Sequence, residues 1–167
     1  MRIILSLILC ASLFAGSWIA VLPLYSIHDQ TADNFGRRFN SYNIGVGARY
    51  EQVGQTYLSA TIILLNDSYK HPFLFSTIGL NHHIQNFSVG IDVGVGYKNI
   101  TDTTYMKYRC KTMVISTEFN YKFIPVVAFS GTYHHGRYSF SISHAPSAEY
   151  QDNRVVGVTL FSVGYKL

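Results

Sequence analysis

The sequence predicts an all-β fold, an eight-stranded antiparallel transmembrane β-barrel, and three observations carry that expectation. First, residues 87–98 alternate strictly. Phe87, Val89, Ile91, Val93, Val95 and Tyr97 form one set, and Ser88, Gly90, Asp92, Gly94, Gly96 and Lys98 the other. A period of two marks a strand. An apolar face opposed by a glycine-rich face with one carboxylate suits a barrel wall between lipid and a narrow lumen. Second, charged residues make up 13% of the chain while there are 13 tyrosines and 11 phenylalanines, a balance unlike that of a soluble domain. Third, no apolar run after residue 17 reaches the length of a spanning helix, yet alternating segments recur to the last residue.

Residues 1–17 have the form of a secretory signal peptide. Arg2 supplies the positive start, residues 3–14 are mostly apolar, and Ala15, Gly16 and Ser17 offer small residues for cleavage before Trp18. Leu9, before Cys10, is too large for a lipoprotein cleavage site. The expected barrel domain is therefore 18–167. Only Cys110 remains in it, which excludes an intramolecular disulfide. The formal charge of +4 suits anionic lipid headgroups.

The expected strands run over 21–30, 42–51, 56–66, 73–83, 87–98, 124–133, 137–144 and 155–167. The first alternates poorly. The second sets Tyr42, Ile44, Val46, Ala48 and Tyr50 against Asn43, Gly45, Gly47, Arg49 and Glu51. The last ends with Phe161, Val163, Tyr165 and Leu167 on one face, similar to the C-terminal signal of outer-membrane barrels. Eight is an even strand number and the smallest usual barrel. The connections at 53–55, 84–86 and 134–136 are tight, whereas those at 31–41, 67–72, 99–123 and 145–154 are long. Such barrels keep short turns in the periplasm and long loops outside. The expected location is the bacterial outer membrane, and His28, Asp67 and Ser68 then share the external end. Residues 112–121 alternate as well and extend a strand beyond the membrane.

The same registers divide the lumen. Asn43, Gly45, Gly47, Gly94 and Gly96 fall in the external half, and Arg49, Glu51, Asp92, Arg137 and Lys166 in the other, where opposite charges pair and close the tube. An external half emptied by glycine would accept an acyl chain. The plainer account is that glycine lets a small barrel curve.

Several short stretches resemble the lipid A palmitoyltransferase (PagP) family. They are Leu-Pro-Leu-Tyr-Ser-Ile-His at 22–28, Arg-Phe-Asn at 38–40, Ile-Gly-Val-Gly at 44–47 and Leu-Asn-Asp-Ser-Tyr-Lys at 65–70, with Phe-Ile-Pro-Val-Val at 123–127 and Ser-His-Ala-Pro at 143–146. The resemblance implies an acyltransferase that moves a palmitoyl chain from a phospholipid donor to lipid A in the outer membrane, as a monomer, with no cofactor, metal or nucleic acid. It implies His28, Asp67 and Ser68 as catalytic residues, and Pro23, Pro125, Pro146 and Gly79 as substrate-binding, with Gly79 at the floor of the acyl cavity. The chain departs from that family in leaving no room for an amphipathic helix between Trp18 and Val21, and in having Tyr42 and Asn43 where the family has a proline.

Acyl transfer at those positions is chemically reasonable. His28 would act as base, Ser68 as nucleophile or hydrogen-bond donor, and Asp67 would orient the imidazole. Without the resemblance, Asp67 and Ser68 are a turn favoured by its own side chains and His28 is a rim residue. The second function class is a non-catalytic barrel, either structural or binding through its external loops. A lumen packed throughout with side chains favours that class. His82, His83, His134 and His135 read as polar turn residues rather than metal ligands. Arg37 and Arg38, with Lys107, Arg109 and Lys111, are external basic clusters that hold lipid A phosphates or remain solvated. Ser143, His144, Ser147 and Glu149 read as a loop. No phosphate-binding glycine loop or nucleic-acid motif is present.

Overall fold

The computed structural model describes residues 15–29, 40–67, 70–108, 111–146, 148–150, 153–155 and 157–167. Its strands are β1 (Gly16–His28), β2 (Gly45–Gln52), β3 (Thr56–Asn66), β4 (Pro72–Ile84), β5 (Phe87–Tyr108), β6 (Lys111–His135), β7 (Tyr138–Ala145), β8 (Ala148–Tyr150), β9 (Asn153–Val155) and β10 (Val158–Lys166). Eight of them close a barrel in the order β1-β10-β7-β6-β5-β4-β3-β2, and β8 and β9 form a separate two-stranded ribbon. Every neighbouring pair in the barrel is antiparallel. No helix among the described residues is long and apolar enough to cross a membrane.

Alternation sets the two faces. Val89, Ile91, Val93 and Val95 are exposed on the outside, while Ser88 and Asp92 between them are buried inside. An exposed apolar belt of this kind is stable only in lipid. Aromatic side chains flank it at both ends. Trp18 meets Tyr50 at 5.3 Å between ring centroids, and Tyr138 meets Tyr165 at 5.3 Å, on the side of the tight turns. Tyr25 meets Tyr42 at 5.6 Å and Tyr97 meets Tyr121 at 5.2 Å on the external side. Amphipathic rings prefer such interfacial positions.

The poor alternation of β1 has a local cause. Its pairing with β10 shifts between Pro23, opposite Ser162, and Tyr25, opposite Phe161. Leu24 is the extra residue of a bulge beside Pro23, which has no N–H to give the ladder. The inward set therefore changes phase, from Ile19, Val21 and Pro23 below the bulge to Ser26 above it. His28 is on the inner face for that reason.

The largest difference from expectation lies in residues 99–123. Residues 99–108 and 111–123 are not a connection but the outer part of a long β5–β6 pairing that runs from Phe87↔Tyr133 to Tyr108↔Lys111. β-Branched and aromatic residues make up just over half of both of its arms. Such residues favour extended chain, and pairing satisfies the backbone groups that a loop would leave to solvent. The last long connection also contains structure, the β8–β9 ribbon. The sixth strand consequently starts at Lys111 rather than 124, and the first starts at Gly16, where Gly16 and Ser17 pair with Gln52 and Glu51.

Two layers fill the barrel. Ile19, Val21, Ile63 and Leu65 form an apolar cluster, with Phe73, Phe75 and Leu160 packed against it. The inward glycines lie beneath this cluster: Gly45 is paired with Leu65 and Gly47 with Ile63, and the Phe73 ring covers Gly96. The external half is thus not emptied by glycine, as the sequence suggested. At Gly45, Gly47 and Gly96 the missing side chain is replaced by a larger one from the neighbouring strand, as close packing requires.

Candidate functional site

Three regions hold residues with chemical potential: the external mouth, the polar half of the lumen and the hairpin beyond the barrel.

At the mouth, β1 brings His28 and the end of β3 brings Asp67 to the same end, as topology predicted. His28 lies within the electrostatic reach of Lys98, Asp29 and Asp67. Ser26 and Asn43 are buried below it, and Asn43 Nδ2 donates to Ser26 Oγ at 2.7 Å. Asp67 is 4% exposed. Its Oδ1 accepts the His71 N–H at 2.9 Å, its backbone N–H donates to the His71 carbonyl at 2.7 Å, and its own carbonyl accepts the Lys70 N–H at 2.9 Å. Lys98 Nζ approaches Oδ2 at 3.7 Å. This carboxylate fastens the β3–β4 turn, in which Lys70 takes a left-handed φ of 66°. Ser68 lies outside the described residues. The prolines do not join this group. Pro23 stands at the β1 bulge, Pro125 is exposed on the outer face of β6, and Pro146 follows β7.

The opposite half of the lumen is a hydrogen-bonded polar layer. Arg49 Nε meets Glu51 Oε1 at 2.9 Å, with both side chains about nine-tenths buried, at 10% and 11% exposure. Arg49 Nη2 donates to Asn81 Oδ1 at 3.0 Å and to Ser59 Oγ at 3.4 Å, and Asn81 Nδ2 donates to Ser59 at 2.9 Å. Ser130 donates to Asp92 Oδ2 at 2.8 Å. Gly79 sits against Asp92, Ser59 and Asn81. The space before it is the centre of this network, not the floor of an apolar cavity. The predicted charge closure thus involves Arg49 and Glu51. Arg137 and Lys166 take no part in it. Both are exposed at the turn end, where Arg137 donates to the Tyr165 hydroxyl at 3.4 Å.

Sequence reasoning missed the stopper beside this layer. His83 and His134 were expected to be turn residues, but their rings lie inside. Tyr57 stacks on His83 at 4.7 Å, His83 meets His134 at 5.2 Å, and His134 Nε2 bonds Ser88 Oγ at 3.0 Å. Each is the inward member of a histidine pair whose outer member, His82 or His135, is exposed. The period of two would have separated them. Among the described residues no group of three or more His, Cys, Asp or Glu side chains is arranged to hold a metal.

The third region is the outer hairpin. β5 pairs with β4 only as far as Lys98↔Phe73, and β6 pairs with β7 only as far as Phe129↔His144. Residues 99–108 and 111–121 continue together. At roughly 3.3 Å per residue, this arm extends about 30 Å along the strands past the last β4 rung. Lys107 and Lys111 stand on its last two rungs, paired with Thr112 and Tyr108, and Arg109 lies outside the described residues.

No protein-family model matches the chain, and no curated protein matches it. Solved structures do. Ail, the attachment invasion locus protein of Yersinia pestis, in complex with the heparin analogue sucrose octasulfate, superposes with a TM-score of 0.56 at 13% identity, covering 92% of this chain and 99% of that one. The N-terminal β-barrel domain of Pseudomonas aeruginosa OprF gives 0.56 at 8% identity, over 91% and 99%. A de novo designed transmembrane β-barrel gives 0.53 at 11% identity, over 92% and 97%. The chain therefore has the fold of the eight-stranded outer-membrane barrels. The resemblance to lipid A palmitoyltransferases, and the enzyme activity inferred from it, are overturned: the structural neighbours are Ail and OprF barrels, and no family model or curated protein supports the resemblance. The matching stretches are short, and their alternating glycines and strand prolines answer needs that any small barrel has.

Proposed function

We propose that this outer-membrane barrel is a non-catalytic platform that holds the β5–β6 arm outside the cell, where the arm binds an anionic partner. Residues 1–17 direct the chain to export, and cleavage before Trp18 removes only the first two residues of β1. The carrying observation is the arm itself, in which 99–108 and 111–121 stay paired beyond the last rung of β4. A structural barrel needs no such extension, because its ladder closes below it. The filled interior supports the same reading, since the apolar cluster takes the space an acyl chain would need. Three cations within five residues at the tip supply the charge, and clustered Lys and Arg attract anionic surfaces over about a Debye length. The Ail barrel was solved with a heparin analogue, which makes a sulfated oligosaccharide a suitable probe.

Replacing residues 101–119 with a two-residue turn tests this function. The expected variant folds, with a normal heat-modifiable band, and its cells are no longer retained on heparin-coated or acidic-peptide-coated surfaces that retain cells bearing the full-length chain. Equal retention by both chains would place the binding elsewhere.

A further inference from the structure

The arm is a two-stranded ribbon with an open side. β6 leaves β7 at Phe129, and among the described residues no strand other than β5 pairs with its outer part. In an antiparallel ladder alternate residues direct their N–H and C=O to one neighbour, and the residues between direct theirs away. Along the outer part of β6, half of the backbone groups therefore face away from β5.

Open edges are normally blunted by proline, by clustered charge, by bulges or by a covering element. Here two such devices bracket a stretch that has none. Thr104 pairs with Ser116 and Tyr105 with Val114, so Ile115 is a bulge. Pro125 interrupts the donors further down. Residues 116–121 between them read Ser-Thr-Glu-Phe-Asn-Tyr, with no glycine or proline and a single charge. Threonine, phenylalanine and tyrosine are good strand formers. A two-stranded ribbon is marginal in water, and a third strand stabilises it.

Two occupants compete for this edge, a second copy of the chain and a segment of another protein. Two copies in one membrane, related by an axis along its normal, would bring their β6 edges together in parallel. Their Lys107 and Lys111 rungs would then lie side by side. Parallel pairing is the weaker kind and like charges oppose it. An extended segment from outside is free to run antiparallel, and acidic residues at one of its ends complement the basic tip.

We infer that residues 116–121 of β6 are a docking edge on which an extended segment of a partner protein, acidic at the end beside the tip, adds as a third strand of the arm. This inference rests on the proposed role of the arm and specifies its mode. Main-chain hydrogen bonds supply the affinity in such strand addition, and the side chains of alternate positions supply the choice of partner.

The test uses the full-length protein in phospholipid nanodiscs and a fluorescent peptide of alternating threonine and valine with three glutamates at one end. Proline is placed singly at each of residues 116–121. A proline whose N–H faced β5 opens the arm's own ladder. One whose N–H faced outward leaves the ladder intact and removes only a donor to the peptide. The expected result is peptide affinity reduced by about tenfold or more at alternate positions without loss of strand content. The same peptide N-methylated at alternate amides should not bind. Equal binding of the N-methylated peptide, or affinity indifferent to proline at all six positions, would overturn strand addition. So would a full-length protein that ignores the peptide but binds heparin through Lys107 and Lys111. That last outcome would leave the arm a binding element that works by charge alone, whereas failure of the proposed role would show as heparin or peptide binding that survives removal of the arm.

Discussion

Gly94→Leu should destabilise the barrel severely, and it is one of the two largest single-residue effects expected here. Gly94 pairs with Thr77 across β4 and β5. A Cβ built on it would collide with the Ser76 carbonyl oxygen and come within 2.7 Å of the Thr77 Cα. These are backbone atoms of a hydrogen-bonded neighbour, so nothing flexible can give way. Overpacking a good core costs about 1–3 kcal/mol, and more where the backbone must move. The matched control is Gly131→Leu. Gly131 pairs with Val89 on the lipid face and has nothing within 4 Å of its Cβ position. That change should alter stability by less than about 0.5 kcal/mol. Urea unfolding in liposomes, followed by the gel shift of the folded barrel, compares the two. Equal stability would mean that the β4–β5 ladder is not packed as described.

The second large effect is expected at Arg49. This guanidinium holds Glu51, Asn81 and Ser59 together in the polar layer. Arg49→Met leaves the Glu51 carboxylate buried without its cation and the Asn81 carbonyl without its donor. Breaking one partner of a buried ion pair typically costs about 3–5 kcal/mol. Adding Glu51→Leu removes the stranded charge, and apolar replacement of both partners is often near neutral. The double variant should therefore regain most of the loss. A double variant as unstable as Arg49→Met alone would show that the pair does not carry the layer.

How legible this molecule was in its sequence depends on what a period of two can report. The eight barrel strands and their tight turns follow from it, because every residue is either in lipid or in the lumen. The placement of His28 and Asp67 at the end opposite the tight turns follows from loop lengths in the same way. The contents of the lumen do not. Gly45 and Gly47 announce only missing side chains. That Leu65 and Ile63 fill the vacancies depends on the β2–β3 register, and a slip of one residue would have turned those side chains to lipid. The bulge at Leu24 was equally hidden, since a shifted phase reads only as poor alternation. The arm was half legible. Residues 112–121 alternate and suggested an extended strand, but their pairing with the 99–108 segment needed the partner's register. The palmitoyltransferase resemblance fails because its matching stretches are short and their glycines and strand prolines serve any small barrel. Asp67 next to Ser68 suggested chemistry, while the Asp67 carboxylate bonds the His71 amide and fastens a turn.

The proposed role of this barrel is that of a filled platform rather than an enzyme. Mass spectrometry of lipid A from isogenic cells with and without the chain tests it most directly. Identical lipid A species are expected in the two, with no increment of one acyl chain. A species heavier by one acyl chain, present only when the protein is made and lost in His28→Ala, would contradict it.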